Sequence, residues 1–155
     1  MADIRPGDDI SAEWWPDSVE AFSTLQISNI TSTSWIPGTP EVGAQFVSAR
    51  TGRAGICVSA GMTEQSAGDR LFVSFEVYEG TSASGTLVRS VRAGNGISTS
   101  GDTTAGGSAE QVHGNMALVD GLTPFVDHYA RIVFQVDGGT TNDVRHRRIT
   151  VIPLP

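Results

Sequence analysis

The stretch LFVSFEVYE, residues 71–79, alternates its side chains with a period of two, and this narrows the fold more than any other feature of the chain. Leu71, Val73, Phe75 and Val77 fall on one face, and Phe72, Ser74, Glu76 and Tyr78 on the other. Successive side chains of a strand point to opposite faces, whereas a helix would repeat at 3.6. HYARIVFQV, residues 128–136, follows the same rule, with Ala130, Ile132, Phe134 and Val136 set against Tyr129, Arg131, Val133 and Gln135. The runs TLQISNI, AQFVSA, RAGICVSAG, TLVRSVR, AEQVHGNMALV and DVRHRRITVI fit strands as well, making about eight. Gly, Ser and Thr supply 49 of the 155 residues, which favours short strands joined by turns and disfavours helices. The expectation is an all-β domain, an antiparallel β-sandwich or jelly roll. DGGT, residues 137–140, reads as a hairpin turn. The prolines of the terminal VIPLP are expected to stop the last strand.

Residues 1–22 break this pattern and are read as an N-terminal anchoring arm, with residues 23–155 as the β-sandwich domain. The arm holds Trp14 and Trp15 ahead of Pro16, and it carries six acids against Arg5 alone. Pro16 discourages helix at Trp15. Asp17 followed by Glu20 offers a cap for a short helical turn reaching Phe22. Large apolar side chains on such a segment either fold back on the body or dock on another subunit.

A chain of this length makes one domain that buries roughly 70% of its unfolded surface. A net charge of −7 argues against a nucleic-acid partner, which rewards clustered positive charge. No run approaches the roughly 20 apolar residues of a membrane span, and the N-terminus lacks a signal-peptide pattern. Cys57 is the single cysteine, expected to be a small buried hydrophobe. All ten basic residues are arginine.

Motifs for catalysis are missing. His113, His128 and His146 each sit in a strand-like run, with no nucleophile elbow to pair with. One cysteine and three scattered histidines give no zinc spacing, and DGGTTND lacks the alternating ligands of a calcium loop. His128 and His146 would flank the hairpin at 137–140. No enzyme activity and no cofactor are expected. The one cationic cluster is RHRR, residues 145–148, where strict alternation would put Arg145 and Arg147 on one face and His146 and Arg148 on the other.

The N-terminal phrase Arg5, Pro6, Gly7, Asp8, Asp9, Ile10, Ser11 and Ala12 resembles leaders on small structural proteins of tailed bacteriophages and prophages of actinobacteria. TGRAGICVSAGM, HYARIVFQVDGGTTNDV and RRITVIPLP are similar to the β-rich bodies of those proteins. The resemblance implies a virion component near the capsid or tail; the leading expectation is a capsid decoration or cement protein, on the capsid surface more than the tail. Such proteins usually assemble as homotrimers, with the major capsid protein or other virion subunits as partners. In that role Ile10, Trp14, Trp15 and Phe22 would anchor the chain, with Arg145, Arg147 and Arg148 pairing with acids on a neighbour. The alternative is a tail-fibre or receptor-binding tip, with the glycine-rich loop 93–108 contacting a host glycan. That loop carries no aromatic residue for sugar stacking.

Overall fold

The computed structural model describes residues 17–64, 69–99, 110–138 and 141–155. They form two antiparallel sheets packed as a sandwich. The strands are β1 Val19–Ser23, β2 Ile27–Ile30, β3 Ile36–Pro37, β4 Gly43–Val47, β5 Arg53–Glu64, β6 Leu71–Glu79, β7 Thr86–Arg89, β8 Ile97–Ser98, β9 Gln111–Val119, β10 Asp127–Val136 and β11 Asn142–Leu154. The eight expected runs all appear. β1, β3 and β8 are additional, and the last two are only two residues long. Among the described residues the only helical turn is a single 3-10 turn, Ala93–Asn95.

The first sheet runs β1-β11-β5-β9, with β2 also paired to β11. The second runs β3-β10-β6-β7, with β4 on β10 and β8 on β6. The two alternating runs of the sequence, β6 and β10, are neighbours over nine register pairs from His128↔Glu79 to Val136↔Leu71. Their apolar faces, Leu71, Val73, Phe75 and Val77 with Ala130, Ile132, Phe134 and Val136, meet Ile56, Val58, Met62, Ile149 and Val151 of the first sheet in one core. The alternation therefore locates the buried faces of β6 and β10 as the sequence implies.

Four expectations are corrected by this arrangement. Residues 19–22 do not make a helical turn. Val19–Ser23 pairs with β11 from Val19↔Val151 to Ser23↔Arg147, and Val19 and Ala21 pack on the core. A five-residue ladder on an existing strand outcompetes one isolated turn, whose nucleation is unfavourable. β10 and β11 do not pair as the hairpin expected around 137–140, because they belong to different sheets; Gly139 and Thr140 lie outside the described residues. His128 is consequently not a surface partner of His146. It is fully buried and stacked on Phe46 at a centroid distance of 5.5 Å, with Nδ1 2.9 Å from the Val126 carbonyl. Finally, β11 continues through Pro153, which is opposite Ala54. The β1 ladder ends at Val151, so Pro153 lies on a stretch flanked by β5 alone among the described residues.

Candidate interaction face

The outer face of the first sheet is built by the positions that alternate with its core residues. On β5 these are Arg53, Gly55, Cys57, Ser59 and Gly61, opposite the buried Ala54, Ile56, Val58, Ala60 and Met62. On β9 they are Val112, Gly114, Met116 and Leu118, which the ladder sets against Gly61, Ser59, Cys57 and Gly55. On β11 the outward positions are Arg145, Arg148, Thr150 and Ile152, and on β1 they are Glu20 and Phe22. The central strand thus presents mostly small side chains between two taller rims.

The β9 rim is apolar and open: Val112 is 72% exposed, Met116 64% and Leu118 51%. Among the described residues β9 is also an edge strand, and its nine residues include no Asp, Glu, Lys, Arg or Pro. Edges of that kind are normally shielded by charge, proline or a covering segment. Cys57 is partly buried on this face and not in the core, because the β5 alternation buries Ile56 and Val58 on either side of it.

The β11 rim is cationic, and its geometry is set by a bulge. The β5–β11 register slips between Arg145↔Gly61 and Arg148↔Ser59, and His146 at the slip has φ 51. One extra residue on a strand inverts the facing of everything beyond it. Arg145 and Arg147 therefore do not share a face, as strict alternation implies. Arg145 points outward and pairs with Glu110, whose carboxylate lies over the bare backbone of Gly61. The Arg145 guanidinium bonded to Glu110 holds that carboxyl below the usual range, and Arg145 is raised by the same pair. Arg148 also points outward, over the Phe22 ring at 5.8 Å and 3.6 Å from Glu20.

Arg147 turns inward and has no exposed surface. Its Nη1 donates to the Pro40 carbonyl at 3.0 Å, while Nε and Nη2 find no hydrogen-bond acceptor. Burial depresses its pKa. It is thus withdrawn from any surface that a neighbour's acid can reach. Phe22, Arg145 and Arg148 do come together on one face, Phe22 being 64% exposed. Ile10, Trp14 and Trp15 lie outside the described residues. The apolar row Val112, Met116 and Leu118 was not singled out from sequence. QVHGNMALV does alternate, with Val112, Gly114, Met116 and Leu118 against Gln111, His113, Asn115 and Ala117, but alternation alone assigns the apolar row to the buried face, whereas the structure turns it outward.

Beside the root of the arm, Asp17, Val19, Gln45, Phe46, Val47 and Asp127 line an open groove of about 460 Å³ between β1 and β4. The outer face of the second sheet carries a closed polar network. Arg131 donates to Glu76 through Nε and Nη2 at 3.1 and 3.0 Å, to Glu41 at 2.9 Å and to the Tyr78 hydroxyl at 2.9 Å. Burial works against the Arg131 charge, but its bonds to Glu41 and Glu76 outweigh that and raise its pKa. Tyr129 donates to Glu41 at 2.7 Å, and burial together with that carboxylate pushes its pKa up to about 12. Each member is engaged by another, which suits a stiffening tie across β6, β10 and the segment before β4. Among the described residues no three His, Cys, Asp or Glu side chains gather to hold a metal, and no helix is long and apolar enough to cross a membrane.

No protein family matches the chain, and no curated protein does. Among solved structures, a chain of infectious bursal disease virus Gx strain matches 89% of this chain at 12% identity, with a TM-score of 0.50. A chain of the Gt strain matches 99% at 13% identity with a TM-score of 0.49, and one of the virus's VP2 subviral particle matches 96% at 15% with 0.45. The likeness is one of fold. The matched region spans 32–37% of those viral chains.

Proposed function

We propose that this chain is a virion structural protein, a bacteriophage capsid decoration or cement protein that holds neighbouring shell subunits together through the outer face of its first sheet and its N-terminal arm. The observation that carries the reading is that face. Val112, Met116 and Leu118 stand exposed on an uncharged edge strand, across the same face from Phe22, Arg145 and Arg148. Contiguous exposed apolar surface rimmed by charge marks a protein–protein contact. The fold shared with the virus chain supports a place in a particle, and the leader phrase supports a phage. The closed Arg131 network and the absence of any nucleophile–base arrangement in the sequence favour assembly over catalysis.

In this reading Ile10, Trp14 and Trp15 of the arm anchor the chain, and Phe22, Arg145 and Arg148 form the receiving rim. Each Trp can bury about 150–250 Å² against a partner, and such aromatics are the usual energetic centres of interfaces. The partners are the major capsid protein and copies of the chain itself, arranged as a trimer. Replacing Trp14 and Trp15 by Ala is expected to abolish binding to particles while the far-ultraviolet signature of the β fold stays unchanged. Gold-labelled antibody on purified virions locates the protein. Regular label over the head supports decoration, and label confined to the tail tip overturns it in favour of a receptor-binding module. Unaltered occupancy by the double Trp variant removes the arm from the anchor.

A further inference from the structure

The reading above leaves open what covers the β9 rim. We infer that residues 1–16 of a neighbouring copy lie across the outer face of the first sheet, between Val112, Met116 and Leu118 on one side and Arg148 on the other, with Arg53 at one end of the floor. This deepens the virion reading and rests on it for its biological setting, but the contact itself is a property of the free protein.

Four observations carry it. Among the described residues nothing pairs with the rim. Nine residues of edge strand without a charge or a proline, with three large apolar side chains more than half exposed, invite a covering segment. The floor is low as well: Gly55, Cys57, Ser59, Gly61 and Gly114 lie between the rims, and a Cβ placed on Gly55 or Gly114 would meet nothing closer than 3.5 Å. An extended peptide with bulky side chains fits such a trough. The cations are not saturated. Arg148 contacts Glu20 only at 3.6 Å with both half-exposed, and Arg53 has no ion pair among the described residues. Residues 1–16 carry Asp3, Asp8, Asp9 and Glu13 against Arg5, so their charge is complementary.

Length and exit point complete the case. Sixteen residues reach roughly 53–58 Å when extended, while the twelve residues of β5 span only about 41 Å. Val19 is paired with Val151, so the preceding residues leave the sheet at the Ile152 and Arg53 end, on the edge opposite β9. A residue before proline favours extended backbone, so the sequence around Trp15 and Pro16 suits a peptide laid along a neighbour's trough. Ile10, Trp14 and Trp15 then supply apolar side chains to pack against the β9 rim. Repeated around a closed ring, one arm per face leaves every rim covered, as a cyclic assembly requires.

Cys57, in the middle of the trough, is a native probe of this contact. In the full-length Ala12→Cys variant, mild oxidation is expected to yield disulfide-linked chains of two or more copies on a non-reducing gel. The links should disappear when Cys57 is replaced by Ser and fall at least tenfold when Met116 and Leu118 are both replaced by Asp. Circular dichroism checks that each variant keeps its sheet. The Asp pair should also weaken self-association at least tenfold by sedimentation, as should Trp14→Ala with Trp15→Ala. Thiol loss without any linked species would mean that the arm folds onto its own face and would overturn the inference, as would links that survive the Asp pair. The assay uses no particles. Failure of the virion reading therefore shows as missing label on virions with the links intact, and failure of this contact shows as missing links.

Discussion

Arg147 is the residue whose environment least matches its chemistry. A guanidinium without exposed surface makes one hydrogen bond, to Pro40, and leaves two nitrogens unmatched. An uncompensated buried charge is costly, and apolar replacements of similar volume are often neutral or stabilising. Arg147→Met is expected to leave the urea midpoint unchanged or raise stability by up to about 2 kcal/mol; a loss greater than about 1 kcal/mol would show that the Pro40 bond dominates. Gly38 belongs to the same site. A Cβ there would collide with Arg147 Nη1 and Ile27 Cδ1 and come within 3.1 Å of Phe134. Tyr129 offers a second residue-scale test. Its phenol is held protonated to about pH 12, above its ordinary 10. A raised folded-state pKa contributes stability that is fully present below about pH 10 and is lost as pH rises toward 12. Phenolate absorbance should show a late-titrating tyrosine, and Glu41→Gln should bring its midpoint down. An unchanged midpoint would remove Glu41 as a cause.

Among the elements, β11 decides most. It is paired to β5 on one side and to β1 and β2 on the other, and its bulge separates an inward Val144 from an inward Arg147 by three residues instead of two or four. His146 takes the left-handed backbone that this requires, at φ 51. A β-branched residue there meets the steric penalty of that region, about 1–2 kcal/mol, whereas glycine meets none. His146→Val is therefore expected to be less stable than His146→Gly by about 1 kcal/mol in urea unfolding. Equal stabilities would mean that the backbone relaxes. RHRR could not disclose this, since an alternating pattern carries no mark of an added residue unless Gly or Asn stands at the slip. The prediction for β1 failed for a related reason. Asp17 and Glu20 are a valid local cap signature, yet the free edge of β11, distant in sequence, supplied a better ladder.

At the scale of the whole molecule, each sheet is built around a late strand, β11 or β10, paired with an earlier one, β5 or β6, and most pairings are distant in sequence. Such topologies fold slowly, on the order of milliseconds to seconds. Removing residues 142–155 takes away the strand that joins β1 and β2 to β5. The remainder is expected to lose its cooperative urea transition altogether; a retained sigmoidal transition would show that the second sheet is independently stable. The sequence by itself determined the all-β class, the positions of eight strands and which faces of β6 and β10 are buried, because a period of two follows from local backbone geometry. It also brought Phe22, Arg145 and Arg148 to notice as exposed candidates. Only the tertiary structure decided that β10 and β11 part into different sheets, that the bulge turns Arg147 inward, and that β9 lies at an edge with Val112, Met116 and Leu118 uncovered. Those outcomes depend on which strand lies beside which, and strand neighbours are chosen by packing across the whole domain, not by any short run of residues.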